Sequence, residues 1–465
     1  MNKNELACTT MLVGKKASID GSTMIARNED YPKPIGPIEF KVVPANSLPS
    51  VYKSQDGLEV KLPSHSYRYT AQPIKGNDNH YFEEGGINEK NVAMSATETT
   101  FTNDRFMGAD PLVAKGVNEE NMPTLVLPFI NNAREGVKRL GKLIEKYGTG
   151  ESNGIAFSDK NEVWYLETAG GHHWVAERIP DDAYAIAPNQ MMIQDVNFND
   201  PDHFMYSPGL KEFVEKHHLN NHPDSFNFRN IAGTHSTWDA HYNTPRAWYG
   251  QKMFNPEVKQ SPMSQNIPFI HHTGRKLSVQ DVQNFLSSHY QQTPYDPFTH
   301  PDLFKHPLFR PIAIDRNAAS HIMQIRNDVP DKYAAIEWLS LGFNSYSPFV
   351  PFYTNINQTA KNYRTLGKRI SMNSAYWMFK SLMIYIEPHY HDFMDEVNDY
   401  RTNVQAYALH RIETVDNAVN SLDGAKLTDQ LTKSTVKTTN HISDMTLDLI
   451  SSLMKQCLNM SHINF

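Results

Sequence analysis

Two short runs of apolar and β-branched residues near the start of the chain predict a β-hairpin. Residues 8–13 (Cys-Thr-Thr-Met-Leu-Val) form the first run, which ends at Gly14. An Asp20-Gly21 turn dipeptide precedes the second run, over residues 23–28. Such runs, bounded by glycine and Asp-Gly, are typical of strands joined by turns. The pattern therefore predicts two strands, with Cys8 at the beginning of the first.

The middle of the chain predicts one helix followed by several strands. Apolar residues at helical spacing run from Arg134 to Tyr147, and Gly148 ends the pattern. Four strand-like runs then follow one another within residues 154–187. Their succession, with short turns between them, predicts an antiparallel meander.

The C-terminal part of the chain has a different pattern. From about Ser371 onward, glycine and proline nearly vanish and apolar residues recur at helical spacing, as at Met445, Leu449 and Leu453. Residues 371–465 are therefore predicted to be helical. Strands and helices occur in blocks, without strict alternation, which favours an α+β fold with a layered core.

Length and composition exclude several classes of protein. The chain has 465 residues, of which 39% are hydrophobic and 11% aromatic, so wholesale disorder is excluded. A net charge of −7, without blocks of like charge, does not favour a nucleic-acid partner. No apolar run approaches the ~20 residues that span a bilayer. Two cysteines, Cys8 and Cys457, provide no disulfide framework. We therefore predict a soluble cytoplasmic protein without nucleic-acid or membrane partners.

The segment before Cys8 is short and mostly polar. A secretory or lipoprotein signal needs a basic start and an apolar stretch of ~7–15 residues. Only seven residues precede Cys8, so we expect neither secretion nor lipidation. Ala7 is a small residue of the kind that cleavage sites tolerate. Residues 1–7 are therefore predicted to be a leader that is removed.

Cys8 is the first candidate for chemistry. A lone cysteine usually serves as a small buried apolar residue, and Cys457, among Leu, Met and Ser in the helical tail, fits that role. Cys8 differs because it starts a strand and follows a short leader. Once its α-amino group is free, a base of pKa about 7.7–8.0 lies beside a thiol of pKa about 8.5. One residue then supplies both the nucleophile and the proton acceptor.

Arg27 and Asp30 lie at the end of the second predicted strand. A charge cluster of this kind is commonly a solvated turn. Next to Cys8, however, the guanidinium of Arg27 can lower the pKa of the thiol, and the carboxylate of Asp30 can bond the α-ammonium. Both residues are therefore candidates for the site.

Eight segments, taken in order, resemble one known family. They are residues 8–18, 20–30, 85–90, 162–167, 171–176, 187–190, 242–248 and 347–353. The family they resemble is dipeptidase A of lactic-acid and related bacteria, over most of residues 8–355. That family belongs to the N-terminal-nucleophile (Ntn) cysteine hydrolases, with the choloylglycine hydrolases and penicillin V acylases.

The resemblance implies a fold and a set of site residues. The fold is an α+β, four-layer αββα Ntn-hydrolase sandwich with a helical C-terminal region. Cys8 is implied to be the nucleophile and the mature N-terminus, with Arg27 and Asp30 flanking the thiol and orienting its amine. Asn189 matches the asparagine that helps to form the oxyanion hole, and Arg246 is similar to the later arginine of the site.

One segment departs from the wider superfamily. Ala96-Thr97-Glu98 stands where choloylglycine hydrolases place an oxyanion asparagine. The second oxyanion donor must then be a backbone N–H or another side chain. We expect Glu98 to meet the ammonium of the substrate, and Arg246 to meet its carboxylate.

Histidine pairs invite a metal site, but their spacing does not favour one. Adjacent histidines on a strand, as at His172-His173, point to opposite faces. Neither a His-Glu-x-x-His helix nor a Cys-x-x-Cys pair occurs, and the glycine-rich nucleotide-binding motifs are also missing from the sequence. We therefore expect no metal and no cofactor.

Taken together, the residues and the resemblance imply a cysteine dipeptidase that hydrolyses dipeptides of broad side-chain specificity through an acyl-enzyme. Three alternatives stay open: a related Ntn amidase acting on acyl amino acids or bile-salt conjugates, a metallopeptidase that uses the histidines, and a non-catalytic binding protein. We divide the chain into a leader (1–7), a catalytic domain (8–370) and a helical region packed on it (371–465). The oligomeric state is left open, and a homo-oligomer is compatible with the sequence.

Overall fold

The structure is a computed structural model that describes residues 7–31, 33, 35–75, 81–98, 100–222, 224–299, 301–367 and 369–461. The strands in these ranges are β1 (Ala7–Val13), β2 (Thr23–Asp30), β3 (Lys41–Val43), β4 (Val51–Lys53), β5 (Glu59–Lys61), β6 (Tyr69–Ala71), β7 (Pro73–Lys75), β8 (Tyr81–Glu83), β9 (Gly85–Ile87), β10 (Ala93–Glu98), β11 (Asn153–Ser158), β12 (Val163–Ala169), β13 (His173–Ile179), β14 (Ala183–Ala187), β15 (Phe204–Tyr206), β16 (Ile270–His272), β17 (Asn317–Ile325), β18 (Ala335–Leu341) and β19 (Val350–Tyr353). The α-helices are α1 (Asp104–Ala109), α2 (Met122–Val126), α3 (Ala133–Tyr147), α4 (Leu210–Lys216), α5 (Phe228–Ala232), α6 (Thr237–Tyr242), α7 (Thr244–Phe254), α8 (Val279–Leu286), α9 (Pro301–Lys305), α10 (Ala375–Ile386), α11 (Tyr390–Val419) and α12 (Gly424–Met460).

Two antiparallel sheets form the centre of the molecule. One has seven strands in the order β16-β14-β1-β2-β17-β18-β19, and the other has six in the order β15-β13-β12-β11-β10-β9. The sheets face each other, with β1 and β2 lying against β10 and β11. Met11 and Ile25 of the first sheet share a buried core with Tyr165 and Val175 of the second. The predicted first hairpin is confirmed, and it lies in the middle of this sandwich.

Helices cover both sheets from outside. The helix α3 packs on β11, β12 and β13 and buries Val137, Leu140 and Ile144. It begins after Asn132, whose side chain caps it, and it ends at Gly148 with a φ of 71°, a conformation that glycine adopts without strain. On the seven-stranded sheet, α7 packs against β14, and α8 packs against β2 and β17. The α+β, four-layer αββα class expected from the sequence is confirmed.

The predicted four-stranded meander is only partly correct. β11, β12 and β13 are neighbours in one sheet, but β14 crosses to the other and pairs with β1 and β16. The backbone N–H of Gly14 donates to the carbonyl of Ala183, which ties the start of β14 to the end of β1. All five residues of β14 are buried, as expected for a strand with neighbours on both edges and layers on both faces. Local alternation cannot distinguish these two pairings.

The C-terminal region is helical, as expected. α10 packs on β18 and α12 packs on β19, while α11 and α12 lie against each other. None of the helices in the described ranges combines the length and apolar character needed to cross a bilayer. Residues 1–6 of the expected leader lie outside the described ranges, and the division of the chain at residues 7 and 370 stays a prediction.

Candidate active site

Cys8 lies near the start of β1, the strand whose neighbours in the sheet are β2 and β14. On the β2 side it stands opposite Glu29. On the β14 side the register pairs Thr10 with Ala187, and the chain beyond Ala187 brings Asn189 next to Cys8. The backbone N–H of Cys8 donates to Asn189 Oδ1 at 3.0 Å. The hairpin and the extension of β14 therefore bring two of the predicted site residues together from 181 positions apart.

The thiol of Cys8 is buried, which favours its uncharged form. Burial raises its pKa to about 12, and this effect outweighs the nearby guanidinium of Arg27, which acts to lower it. A hydrogen bond from the backbone of Asp30 also acts to lower the pKa. Because a thiolate is the nucleophilic form, a base must remove this proton before Cys8 can attack a carbonyl.

Arg27 lies on the same face of β2 as Glu29, where it meets three carboxylates. Its Nη2 donates to Glu84 Oε2 at 2.5 Å, and its Nη1 donates to Glu119 Oε1 at 3.2 Å. The third carboxylate, that of Glu29, has an oxygen 3.8 Å from Nη2. These contacts fix the guanidinium beside the thiol, where its charge favours the thiolate.

Asp30 is held by residues far away in the sequence. Arg310 Nη2 donates to Asp30 Oδ2, and Asn317 Nδ2 donates to Asp30 Oδ1 at 2.9 Å. Lys380, from α10, in turn donates to the backbone carbonyls of Asp315 and Asn317 at 2.5 and 3.1 Å. The backbone N–H of Cys8 donates to Asn189. The expectation that Asp30 orients the amine of Cys8 therefore stays a prediction.

Arg246 connects the site residues to one another. Its Nη1 donates to the carbonyl of Cys8 and to Thr9 Oγ1 at 2.9 Å. Its Nη2 donates to Asn189 Oδ1 at 3.0 Å and to Asn243 Oδ1 at 2.5 Å, and its Nε donates to the carbonyl of Tyr242 at 3.0 Å.

All five N–H donors of this guanidinium are therefore in use, and the side chain is fully buried. A substrate carboxylate would have to displace one of these partners. The expectation that Arg246 binds the substrate carboxylate stays a prediction. Its contacts make it a residue that positions Cys8 and Asn189.

Glu98, the expected partner of the substrate ammonium, ends β10. Its side chain lies outside the part of the chain that the structure describes, so this expectation stays a prediction.

Arg310 and Asn317 are the site residues that sequence reasoning missed. Arg310 follows Phe309 in a loop without a motif, and Asn317 begins β17. The ring of Tyr242 lies 5.3 Å from the guanidinium group of Arg246 and 5.5 Å from that of Arg310. Tyr242 begins the segment 242–248, one of the eight that resemble the family. No other part of the sequence analysis pointed to the group of Tyr242, Arg246 and Arg310.

The histidine pairs do not converge on a common point. His172 Nδ1 contacts Asp110 at 3.0 Å, whereas His173 Nδ1 contacts Ser207 Oγ at 2.9 Å. Over the described ranges, three or more His, Cys, Asp or Glu side chains are nowhere grouped so that they can hold a metal ion. The two members of the His172-His173 pair therefore contact different partners.

Comparisons with known proteins show which proteins this chain resembles. The sequence profile of peptidase family C69 matches residues 7–403. A probable dipeptidase of Latilactobacillus sakei is 46% identical over 462 residues, which cover 99% of this chain and 97% of that protein. Dipeptidase A of Lactobacillus helveticus is 42% identical over 460 residues, covering 97% and 96%. Among solved structures, penicillin V acylase from Agrobacterium tumefaciens has a TM-score of 0.34 and 12% identity, over 75% of this chain and 87% of that one.

Proposed function

The chain belongs to peptidase family C69, and from this premise we propose that it is a cysteine dipeptidase with Cys8 as its nucleophile. The substrate class comes from the relatives, which are named as dipeptidases and match nearly the whole chain. The observation that carries the mechanism is the 3.0 Å contact between the nitrogen of Cys8 and Asn189 Oδ1. It holds in place the atom that becomes a free amine when residues 1–7 are removed.

The first half of the reaction forms an acyl-enzyme. The free amine of Cys8 accepts the proton of its own thiol, and the thiolate attacks the carbonyl carbon of the dipeptide. The carbonyl oxygen becomes an oxyanion, which the Nδ2 group of Asn189 stabilises by donating a hydrogen bond. The C–N bond then breaks, the ammonium of Cys8 returns its proton to the leaving amino acid, and a thioester remains.

The second half releases the product. The amine of Cys8 accepts a proton from water, and the resulting hydroxide attacks the thioester. Collapse of this second intermediate breaks the C–S bond, so the N-terminal amino acid of the dipeptide leaves with a free carboxyl group, and the thiolate takes back the proton held by the amine. An α-amino group with a pKa near 8 is suited to this work, because it is partly unprotonated at neutral pH.

We also place the enzyme in the cytoplasm and expect small-molecule substrates. Both cysteines, Cys8 and Cys457, are free thiols, which fits a reducing compartment.

The test combines intact mass with turnover. Purified protein should have lost Met1 to Ala7, and it should release two free amino acids from an unblocked dipeptide. Cys8→Ala should abolish turnover and leave the circular dichroism spectrum unchanged. Cys457→Ala removes the other thiol, on α12, and serves as the matched control with full activity.

An active protein that keeps all seven residues would contradict the amine mechanism. An enzyme that cleaves acyl amides but not dipeptides would be the related amidase. Loss of activity to a chelator, with no loss to iodoacetamide, would indicate a metallopeptidase.

A further inference from the structure

The surroundings of Arg27 contain more negative than positive charge. One guanidinium faces the carboxylates of Glu29, Glu84 and Glu119, at 3.8, 2.5 and 3.2 Å. The guanidinium side chain is fully buried, and those of the three glutamates are 3%, 9% and 11% exposed. Buried carboxylates are costly unless a cation or a proton compensates them. One positive charge cannot compensate three carboxylates.

Glu29 is the member of this group without a hydrogen-bond donor. Among the described residues, neither of its carboxylate oxygens has a hydrogen-bond partner, although both are buried. Its closest charge contact is the 3.8 Å approach to Arg27. Burial and the neighbouring Glu84 raise its pKa well above the usual range. A buried acceptor without a donor is unfavourable, so the position favours a ligand that brings N–H groups.

Glu29 also lies where a dipeptide must place its amino group. It stands directly opposite Cys8 in the β1–β2 pairing, and Cβ atoms of such pairs are about 4.5–5.5 Å apart. In a dipeptide, the ammonium nitrogen is two bonds, or about 2.5 Å, from the carbonyl carbon that the thiolate attacks. An attacking sulfur about 3–3.5 Å from that carbon therefore keeps the ammonium within about 6 Å of itself.

We propose that Glu29 and Glu84 together bind the free α-ammonium group of the substrate. Burial favours the protonated form of Glu29, so binding releases this proton to solvent and the positive charge of the ammonium group replaces it. The two oxygens of ionised Glu29 and one oxygen of Glu84 then match the three N–H donors of the ammonium group. Glu119 then remains as the partner of Arg27. This inference rests on the proposed dipeptidase function and adds its selectivity, because a peptide with a blocked amino terminus brings neither the charge nor the three donors.

Two of the three glutamates lie nearer to solvent than Glu29. Glu84 and Glu119 keep part of their side chains in contact with solvent, at 9% and 11% exposure. Ala7 stands opposite Asp30, at the end of the same strand pair. Its removal with the leader would clear the end of β1 next to Glu29.

The experiment compares an unblocked dipeptide with its N-acetyl derivative. The wild-type enzyme is expected to have at least ~10-fold higher kcat/KM on the free dipeptide, because the acetylated one loses a charge-assisted contact. In Glu29→Gln and in Glu84→Gln, the ratio of kcat/KM on the free dipeptide to kcat/KM on the acetylated one should fall from at least ~10 to less than ~3; an effect through Arg27 would change both substrates alike and leave this ratio unchanged. Glu337→Gln is the matched control. Glu337 is buried on β18 and accepts from Thr70 and Gln72, so this variant should keep the wild-type ratio.

The outcomes distinguish a failure of the proposed ammonium site from a failure of the proposed dipeptidase function. If the wild type prefers the free dipeptide and both glutamine variants keep that preference, the ammonium site is refuted and the dipeptidase function stands. Equal wild-type rates on the two substrates would also refute the site. If the wild type cleaves neither substrate, the proposed function itself fails and the site fails with it.

If Glu29→Gln does not fold, the binding of the dipeptide is measured directly in variants that keep Glu29. Calorimetry on Cys8→Ala protein, with and without Glu84→Gln, should show at least 10-fold weaker binding of the free dipeptide in the double variant. Unchanged affinity would contradict the proposal.

Discussion

Replacing Asn189 by aspartate separates the two roles proposed for this residue. Its Oδ1 accepts from the nitrogen of Cys8 and from Nη2 of Arg246, both at 3.0 Å. The opposite end of the amide, Nδ2, is the donor proposed for the oxyanion. Aspartate has nearly the same shape and keeps the accepting oxygen, but an oxygen replaces the donor. The added negative charge lies next to Arg246, so it is paired.

The expected loss of kcat in Asn189→Asp follows from the replacement of the Nδ2 donor by an oxygen. Loss of one oxyanion donor lowers kcat by about 10²–10³, or about 2.7–4 kcal/mol, with little change in KM because the contact forms only in the transition state. The free energy of unfolding should change by less than ~1 kcal/mol, since both accepted hydrogen bonds remain. Asn189→Ala leaves the donors of Cys8 and Arg246 without their acceptor, and should cost ~1–3 kcal/mol of stability for each unsatisfied group.

The assay is steady-state hydrolysis of an unblocked dipeptide, with urea unfolding followed by fluorescence on the same preparations. A kcat for Asn189→Asp within 3-fold of wild type would refute the oxyanion role. A loss found only in KM would make Asn189 a residue that binds the substrate in its ground state.

Three further predictions concern neighbouring and distant groups. Asp30→Asn should lower kcat by ~10²–10⁴ and change KM little if its carboxylate takes part in proton transfer at Cys8, whereas a change in KM alone would make it a binding residue. Lys380→Met removes the donor to the backbone carbonyl of Asn317, and the resulting shift of Asp30 should lower kcat on the order of 10- to 10²-fold. Lys380→Arg should restore kcat. Unchanged kinetics in Lys380→Met would show that α10 does not position Asp30. Burial raises the pKa of Glu167 to about 8, so its contribution to stability is complete below the unfolded pKa of about 4.3 and is lost as the pH rises to about 8. Glu167→Gln should therefore flatten the decrease in the free energy of unfolding over that pH range, measured by urea titration. An unchanged slope would contradict the raised pKa.

Local sequence pattern was sufficient for the part of the site that the first hairpin builds. Glycine, Asp-Gly and two β-branched runs predicted β1 and β2, and these strands alone place Cys8 opposite Glu29 and close to Arg27. The assignment of Asn189 came from the family resemblance. Its position follows from the pairing of β1 with β14, which alternation of residues could not distinguish from a continued meander.

The rest of the site depends on contacts that no local pattern carries. Arg310 and Asn317 reach Asp30 across 280 and 287 positions of the chain, and neither lies in a motif. Arg246 was identified, but the sequence does not reveal that five neighbouring acceptors occupy its donors. Long-range hydrogen bonds of this kind become visible only when the fold is known.

The position of β1 inside its sheet has a consequence for conformational entropy. The first residues of a protein chain are commonly mobile, and fixing one residue costs about 1–2 kcal/mol at 25 °C. If the chain begins at Cys8, its first residue is paired with Glu29 of β2 and belongs to a strand that lies inside the sheet, so it is ordered when the sheet folds. The entropy of ordering the nucleophile is then lost once, during folding, and not again in each catalytic cycle. Substrate binding therefore does not have to order the reacting sulfur and nitrogen, and more of the binding free energy remains to lower the barrier.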